Sequence, residues 1–226
     1  MASTLLLWDI DGTILHSGGA GIRAIDLSLQ QDMGIDGDTA GIAWAGRTDR
    51  WITGQVFAKH GIPLTEANAT RFIDGYLNRV TAELTRSGHV LPGVEALLRT
   101  GHARPDVAQG LLTGNLERGA RVKLGHFGLW EYFAFGAFAD DSEDRNELGP
   151  HALRRATAVT GVTFEPSRVW IIGDTPHDIA CGKVIGARTL AVATGHHTRE
   201  ELAAFEPTAI MDDLSDEAAF WALVTA

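Results

Sequence analysis

Cysteine is nearly absent. Cys181 stands alone among 226 residues, which excludes an internal disulfide and any cage of thiolates around a metal. Long apolar runs are missing too. The strongest near the start, Leu5-Leu6-Leu7-Trp8, is far shorter than the core of a secretory signal and has no basic flank, and nothing approaches the roughly 18 residues of a membrane span. A cytoplasmic protein without a membrane partner is the expectation. Positive charge is scarce: 19 Lys and Arg stand against 29 Asp and Glu, a formal net charge of −10. Such a surface repels phosphate backbones and anionic lipid, so nucleic acid is not an expected partner. There is no internal repeat and no low-complexity tail, and nothing in the pattern specifies an oligomeric state. Gly18-Gly19-Ala20-Gly21 lacks the Gly-Lys-Ser/Thr that would follow in a nucleotide-binding loop and reads instead as a hinge.

Apolar residues make up 45% of the chain, enough for a substantial core. They gather in short runs that stop abruptly. Leu5 to Trp8 runs into Asp9, Val107 to Leu112 into Thr113-Gly114-Asn115, Phe133 to Phe138 into an acidic loop, and Val169 to Ile172 into Gly173-Asp174. Thr189 to Ala193 and Ala209 to Met211 end in the same way. Runs apolar on both faces are strands covered on both sides, the mark of a parallel sheet. Helical spacing lies between them: Val94, Leu97 and Leu98; Leu116 to Phe127, stopped by Gly128; and Ala152, Leu153, Ala156 and Val159 between Pro150 and Gly161. This alternation predicts a doubly wound, mostly parallel α/β sheet of the Rossmann type. Residues 17–88 differ, with helical patterns only, over Ile22 to Met33, Arg50 to His60 and Thr65 to Arg86. They read as a helical insert on flexible connections, leaving a core of residues 1–16 and 89–226.

Acidic and hydroxyl groups stand just past the strand ends: Asp9 and Asp11, Thr113, and Asp174 and Asp178. In an open parallel sheet the carboxyl ends of neighbouring strands meet at one crevice. Carboxylates converging there without thiolates or a histidine pattern favour a hard, oxygen-seeking cation, foremost Mg²⁺. One carboxylate as nucleophile beside another as acid and base is a workable division of labour. The pair His196-His197 projects apart and is not a metal site; Cys181 reads as buried packing, and Trp44 and Trp51 as insert core.

Asp9-Ile10-Asp11-Gly12-Thr13, then Leu112-Thr113-Gly114-Asn115, then Ile172-Gly173-Asp174-Thr175-Pro176-His177-Asp178 resemble, in order and placement, the haloacid dehalogenase-like hydrolase superfamily, and in particular its helical-cap, phosphoglycolate-phosphatase-like members. The resemblance implies that residues 17–88 are a cap, that Asp9 is the nucleophile forming an aspartyl-phosphate, and that Asp11 is the general acid and then the base. It implies that Thr113, Gly114 and Asn115 bind phosphoryl oxygens, and that Asp9, Asp174 and the backbone carbonyl of Asp11 hold Mg²⁺, with Asp178 doing so directly or through water. The second aspartate favours phosphoryl transfer over dehalogenation, since a halide leaves without a proton.

The expected activity is hydrolysis of a small phosphorylated metabolite. A phosphomutase of the same fold, a phosphonate-cleaving enzyme using Lys59, and a catalytically silent binding protein are the alternatives. One element departs from the family: its usual Lys before Pro is missing from Asp140-Asp141-Ser142-Glu143-Asp144-Arg145-Asn146-Glu147. Arg145 is the favoured replacement, paired with Asp9 and the phosphoryl group. Lys123 is the rival, expected roughly 10 Å or more from the strand end by helical rise. In the insert, Arg47 of Gly46-Arg47-Thr48-Asp49 is read as a clamp on an anionic substrate group, or else as part of a helix start capped by Thr48 or Asp49.

Overall fold

The computed structural model describes residues 3–226. The chain forms β1 (Thr4–Trp8), β2 (Leu15–His16), α1 (Ala20–Gln31), α2 (Asp49–His60), α3 (Glu66–Ser87), β3 (His89–Val90), α4 (Val94–Ala103) and β4 (Val107–Leu112). It continues with α5 (Glu117–His126), β5 (Gly136–Ala137), α6 (Leu148–Thr160), β6 (Val169–Gly173), α7 (Pro176–Val184), β7 (Arg188–Val192), α8 (Arg199–Ala203), β8 (Ala209–Met211) and α9 (Glu217–Val224). Six strands make one parallel sheet in the order β5-β4-β1-β6-β7-β8. The doubly wound α/β reading is therefore correct. β1 lies between β4 and β6, so the chain reverses its direction of travel across the sheet beside β1, and that is where the crevice opens.

Strand periodicity sends alternate β1 side chains to opposite faces, and both faces are dry. Leu6 and Trp8 pack with Leu97, Leu124 and Phe220 on one side; Leu5 and Leu7 pack with Leu148, Ala152 and Cys181 on the other. Trp8 stacks on Phe220 at 5.6 Å. Each such leucine taken out of water contributes roughly 1.5–3 kcal/mol, so the ends of β1 have little freedom to shift. The expected strand over 133–138 shrinks to Gly136–Ala137. As an edge strand it pairs on one side only, and the Phe138 N–H turns away to donate to the Asp141 carboxylate at 3.1 Å.

Helices α1, α2 and α3 share a core of their own, with Leu29, Val56, Phe57, Phe72 and Val80 buried and Phe57 edge-on to Phe72 at 5.3 Å. Gly75 lets α1 and α3 approach closely: a Cβ there would overlap Ser28, whose hydroxyl donates to the Phe72 carbonyl at 2.7 Å. Thr48 and Thr65 cap α2 and α3, accepting from the Trp51 and Asn68 N–H groups, and Gly61 at φ 63° stops α2. No strand falls within 17–88, as the pattern implied. The two crossings into this region pair with each other as the antiparallel β2–β3 ribbon, with His16 and His89 ring centroids 5.4 Å apart.

Candidate active site

The ends of β1 and β6 build the centre. The Asp9 N–H donates to the Ile172 carbonyl at 2.9 Å, which prolongs β1 by one residue and delivers Asp9 to the rim. Gly12, at φ 83°, then turns the chain back, with its N–H on the Leu15 carbonyl at 2.8 Å. A side chain there would overlap the Asp174 carboxylate, so glycine is required on both counts. Asp174 follows β6 and accepts from the Thr13 hydroxyl at 3.2 Å. Asp178 sits in the first turn of α7, where it completes a capping box with Thr175. Asp9, Asp174 and Asp178 each turn one oxygen into a common space, all within 4.8 Å of one another and all buried.

One cation lies against this trio. Arg145 is presented by a short 3-10 turn whose cap, Asp144, accepts from the Asn146 N–H at 2.9 Å. Its Nη2 stands 3.1 Å from Asp9 Oδ1 and also hydrogen-bonds Asp178. Three carboxylates around one guanidinium leave excess negative charge in a dry place. Burial pushes Asp9 up to about 6 against the pull of Arg145, with Asp178 and Asp11 adding to the rise. Burial and the charges of Asp9 and Asp178 raise Asp174 well above the ordinary carboxylate range. Asp9 Oδ1 is buried and, despite the nearby guanidinium, has no hydrogen bond of good geometry. An all-oxygen donor set with surplus charge and an unsatisfied oxygen fits a hard divalent cation.

Asp11 is held differently. Lys123 Nζ donates to its Oδ2 at 2.6 Å and Asn115 Nδ2 to the same oxygen at 2.8 Å. Burial alone would raise Asp11, but the Lys123 ammonium and these two hydrogen bonds bring it below its usual value. Its carboxylate is not one of the trio; the metal role expected for this residue concerned its backbone carbonyl. Asn115 is itself oriented by Thr113, whose Oγ1 accepts from Asn115 Nδ2 at 2.9 Å and from its N–H at 3.3 Å.

Lys123 reaches the site despite the helical rise that was expected to keep it away. α5 begins only after the turn over Gly114 to Leu116, and its inner face looks onto the Asp11 loop, so the long lysine side chain spans the distance that helical rise was expected to impose. The two rival cations thus serve two different aspartates: Arg145 lies beside Asp9 and Lys123 beside Asp11.

The helical segment seats directly on this floor. The Asp49 N–H donates to the Gly114 carbonyl at 2.7 Å, and the Asp49 carboxylate accepts from the Leu116 N–H at 2.8 Å. A Cβ on Gly114 would overlap the Arg47 carbonyl. Thr48 Oγ1 donates to the Glu143 carbonyl at 2.8 Å while capping α2, so the helix-start reading of this loop is right about Thr48. Between floor and helices lies a cavity of about 260 Å³, lined by Asp9, Asp11, Ile22, Trp44, Arg47 and Lys123 among others. Arg47 is exposed and lies over the Trp51 ring at 4.6 Å, with no carboxylate of the described residues at ion-pair distance. Trp44 and Trp51 do pack against the helical core, and Trp44 also reaches the cavity. Lys59 donates to Asp38 Oδ1 at 3.0 Å and the Ala40 carbonyl at 2.9 Å and does not line the cavity, which removes the residue a Schiff-base reaction would need. His16, Asp49, Tyr76 and His196 are cavity residues that the sequence pattern did not single out for the site's chemistry.

A family model described as "HAD-hyrolase-like" matches residues 146–217, which include Asp174 and Asp178. Over nearly the whole length, the chain is 28% identical across 218 residues to the Dickeya dadantii protein named "Probable phosphatase IndB", covering 94% of this chain and 90% of that one. It is 26% identical across 219 residues to a phosphoglycolate phosphatase of Rhodospirillum rubrum, covering 93% and 87%. The family model and these relatives agree in likeness to haloacid dehalogenase-like hydrolases. Both of these relatives carry phosphatase in their names. The fold agrees: the crystal structure of CbbY from Rhodobacter sphaeroides in complex with phosphate superposes with a TM-score of 0.75 at 17% identity, over 95% of this chain and 96% of that one. The chain carries its acids where this fold opens, at the carboxyl ends of β1 and β6. No helix among the described residues is long and apolar enough to cross a membrane.

Proposed function

We propose that this protein is a haloacid dehalogenase-like phosphatase that hydrolyses a small phosphorylated metabolite with Mg²⁺ through an aspartyl-phosphate on Asp9. The observation that carries the reading is the buried trio Asp9, Asp174 and Asp178, within 4.8 Å of one another, of which Asp9 and Asp174 line the cavity that also holds Asp11 and Arg145. Asp9, Asp174, Asp178 and the Asp11 carbonyl would hold the cation. When bound, it offsets their mutual repulsion and draws negative charge from the phosphoryl oxygens.

The chain's own residues do the rest. A carboxylate oxygen of Asp9 attacks phosphorus in line; the new P–O bond forms as the bond to the substrate oxygen breaks. Asp11, a carboxylate in the free protein, takes up a proton as the anionic ester binds beside it and gives that proton to the leaving oxygen. As a carboxylate it then takes a proton from water, which attacks the same phosphorus and releases Asp9. Arg145 faces the transferring group with a fixed positive charge, and the Thr113 hydroxyl with the Gly114 and Asn115 backbone supplies donors to its oxygens. Residues 17–88 act as a cap over residues 1–16 and 89–226, excluding water during transfer and opening for release. Arg47, the exposed cation of the cavity wall, is assigned to an anionic group of the substrate. Uncatalysed monoester hydrolysis is so slow that barrier lowering on the order of 20 kcal/mol is required, chiefly from positioning and electrostatics.

A phosphate-release screen over metabolite monoesters with Mg²⁺, run beside Asp9→Asn and an EDTA control, tests this. Release is expected from at least one ester, absent in Asp9→Asn and after chelation. Persistent release by purified Asp9→Asn would remove the covalent mechanism.

A further inference from the structure

Lys123 has no part in the reaction just described, yet it is a buried ammonium with an unusual neighbourhood. Its side chain is 6% exposed, and its Nζ donates to Asp11 Oδ2 at 2.6 Å. Asn115 donates to that same oxygen, so two donors from separate elements, α5 and the loop after β4, fix one oxygen of Asp11. No described residue donates to the other oxygen, and Asp11 is a cavity residue. The remaining neighbours of Lys123 come from the helical segment. The Tyr76 hydroxyl of α3 and the Asp49 carboxylate of α2 both lie over Gly119, one turn before Lys123, within 3.9 Å and 3.6 Å of the position a Cβ would take there. Both act electrostatically on Lys123. Asp49 is also the residue that ties α2 to Gly114 and Leu116.

We propose that Lys123 is a positioning residue for Asp11: it pins Oδ2 so that Oδ1 faces the leaving oxygen, and it takes up that position only when Asp49 and Tyr76 are docked around it. Without Lys123, Asp11 keeps Asn115 alone; at 39% side-chain exposure it is free to rotate. Proton delivery then suffers while nucleophilic attack by Asp9 does not. This rests on the phosphatase reading above, with Asp11 as its acid.

The distinguishing measurement is leaving-group dependence with two probes of similar shape, p-nitrophenyl phosphate and phenyl phosphate, in Mg²⁺. Phenolate, with a conjugate acid near that of tyrosine (about 10), needs protonation far more than nitrophenolate does. General acid catalysis contributes at least on the order of 100-fold, so Lys123→Met is expected to lower kcat on phenyl phosphate by about that factor and on p-nitrophenyl phosphate by less than about tenfold, with KM little changed. Tyr76→Phe removes a single hydroxyl and serves if the methionine variant does not fold; its loss is expected to be a few-fold on phenyl phosphate and negligible on p-nitrophenyl phosphate. A loss of equal size on both esters, or no loss, overturns the assignment of Lys123 while leaving the phosphatase reading intact. A wild type without Asp9-dependent turnover of either ester overturns both.

Discussion

Asp174→Asn removes one negative charge from a buried cluster while keeping shape and the oxygen that accepts from Thr13. Asp9 and Asp178 each present an oxygen within 4.8 Å of the Asp174 ligand oxygen. At an effective dielectric of about 20, two unit charges at that distance repel by about 3.5 kcal/mol. Arg145 offsets part of this, so a net relief on the order of 2 kcal/mol is expected in the metal-free protein. For a chain of this size that is a rise in Tm of about 4–8 °C.

The sign with pH follows from the raised folded-state pKa of Asp9 and Asp174. An acid whose pKa is higher folded than unfolded contributes stability at low pH that is lost as pH rises through the folded value, here from about 4 to beyond 6. The variant's advantage in EDTA should therefore be small near pH 4 and grow toward pH 8. With Mg²⁺ the order inverts. A cation at 100 times its Kd stabilises by about 2.7 kcal/mol, so the wild type gains several degrees and the variant, short of one ligand, gains little. Thermal denaturation followed by circular dichroism, in EDTA and in Mg²⁺ at several pH values, gives all four curves. A variant that melts below the wild type in EDTA, with both shifting equally in Mg²⁺, would refute the charge-surplus argument.

Three further perturbations have defined outcomes. Arg145→Met strips the trio of its only direct ion-pair partner among the described residues, and breaking a buried pair from one side costs about 3–5 kcal/mol, read as a lower denaturant midpoint in EDTA; an unchanged midpoint would contradict the buried pairing. Gly114→Ala forces a methyl group into the Arg47 carbonyl, so the Asp49 amide, which donates to Gly114, should exchange its hydrogen markedly faster; unaltered exchange would mean the two loops are not in contact. Burial raises Asp49 to about 6, so Asp49→Asn should be close to neutral near pH 4 and stabilising by roughly 1–2 kcal/mol above pH 7, measured by urea unfolding; a pH-independent difference would show that the carboxylate titrates normally.

The sheet was legible because its central strands are apolar on both faces and stop at residues that cannot continue them. Leu5 to Trp8 before Asp9, and Val169 to Ile172 before Gly173-Asp174, announce both the strands and the rim. The trio was legible for the same reason. Phe133 to Phe138 misled: its apolar residues serve packing around an edge, not strand pairing, and composition does not separate the two. The β2–β3 ribbon is two residues long on each side and carries no periodicity to read. Lys123 was invisible as a partner of Asp11 because a lysine on an otherwise polar helix, with Arg118 and Arg121 nearby, reads as solvated. The docking of α3 onto α5, with Asp49 of α2 beside Gly119, buries it, and that is a tertiary fact. Asp49 was visible as a helix-start residue, but its bond to Leu116, 67 residues away, has no local signature.

The nucleophile is the point on which the chemistry turns. Wild-type protein mixed with excess ester and Mg²⁺, quenched within the first turnover and reduced with borohydride, converts an acyl phosphate to homoserine at the residue that carried it. Peptide mass spectrometry is expected to find homoserine at position 9 in the wild type, and none in a parallel sample quenched before ester is added. Homoserine at another aspartate, or full phosphate release with position 9 unmodified at every quench time, would contradict attack by Asp9.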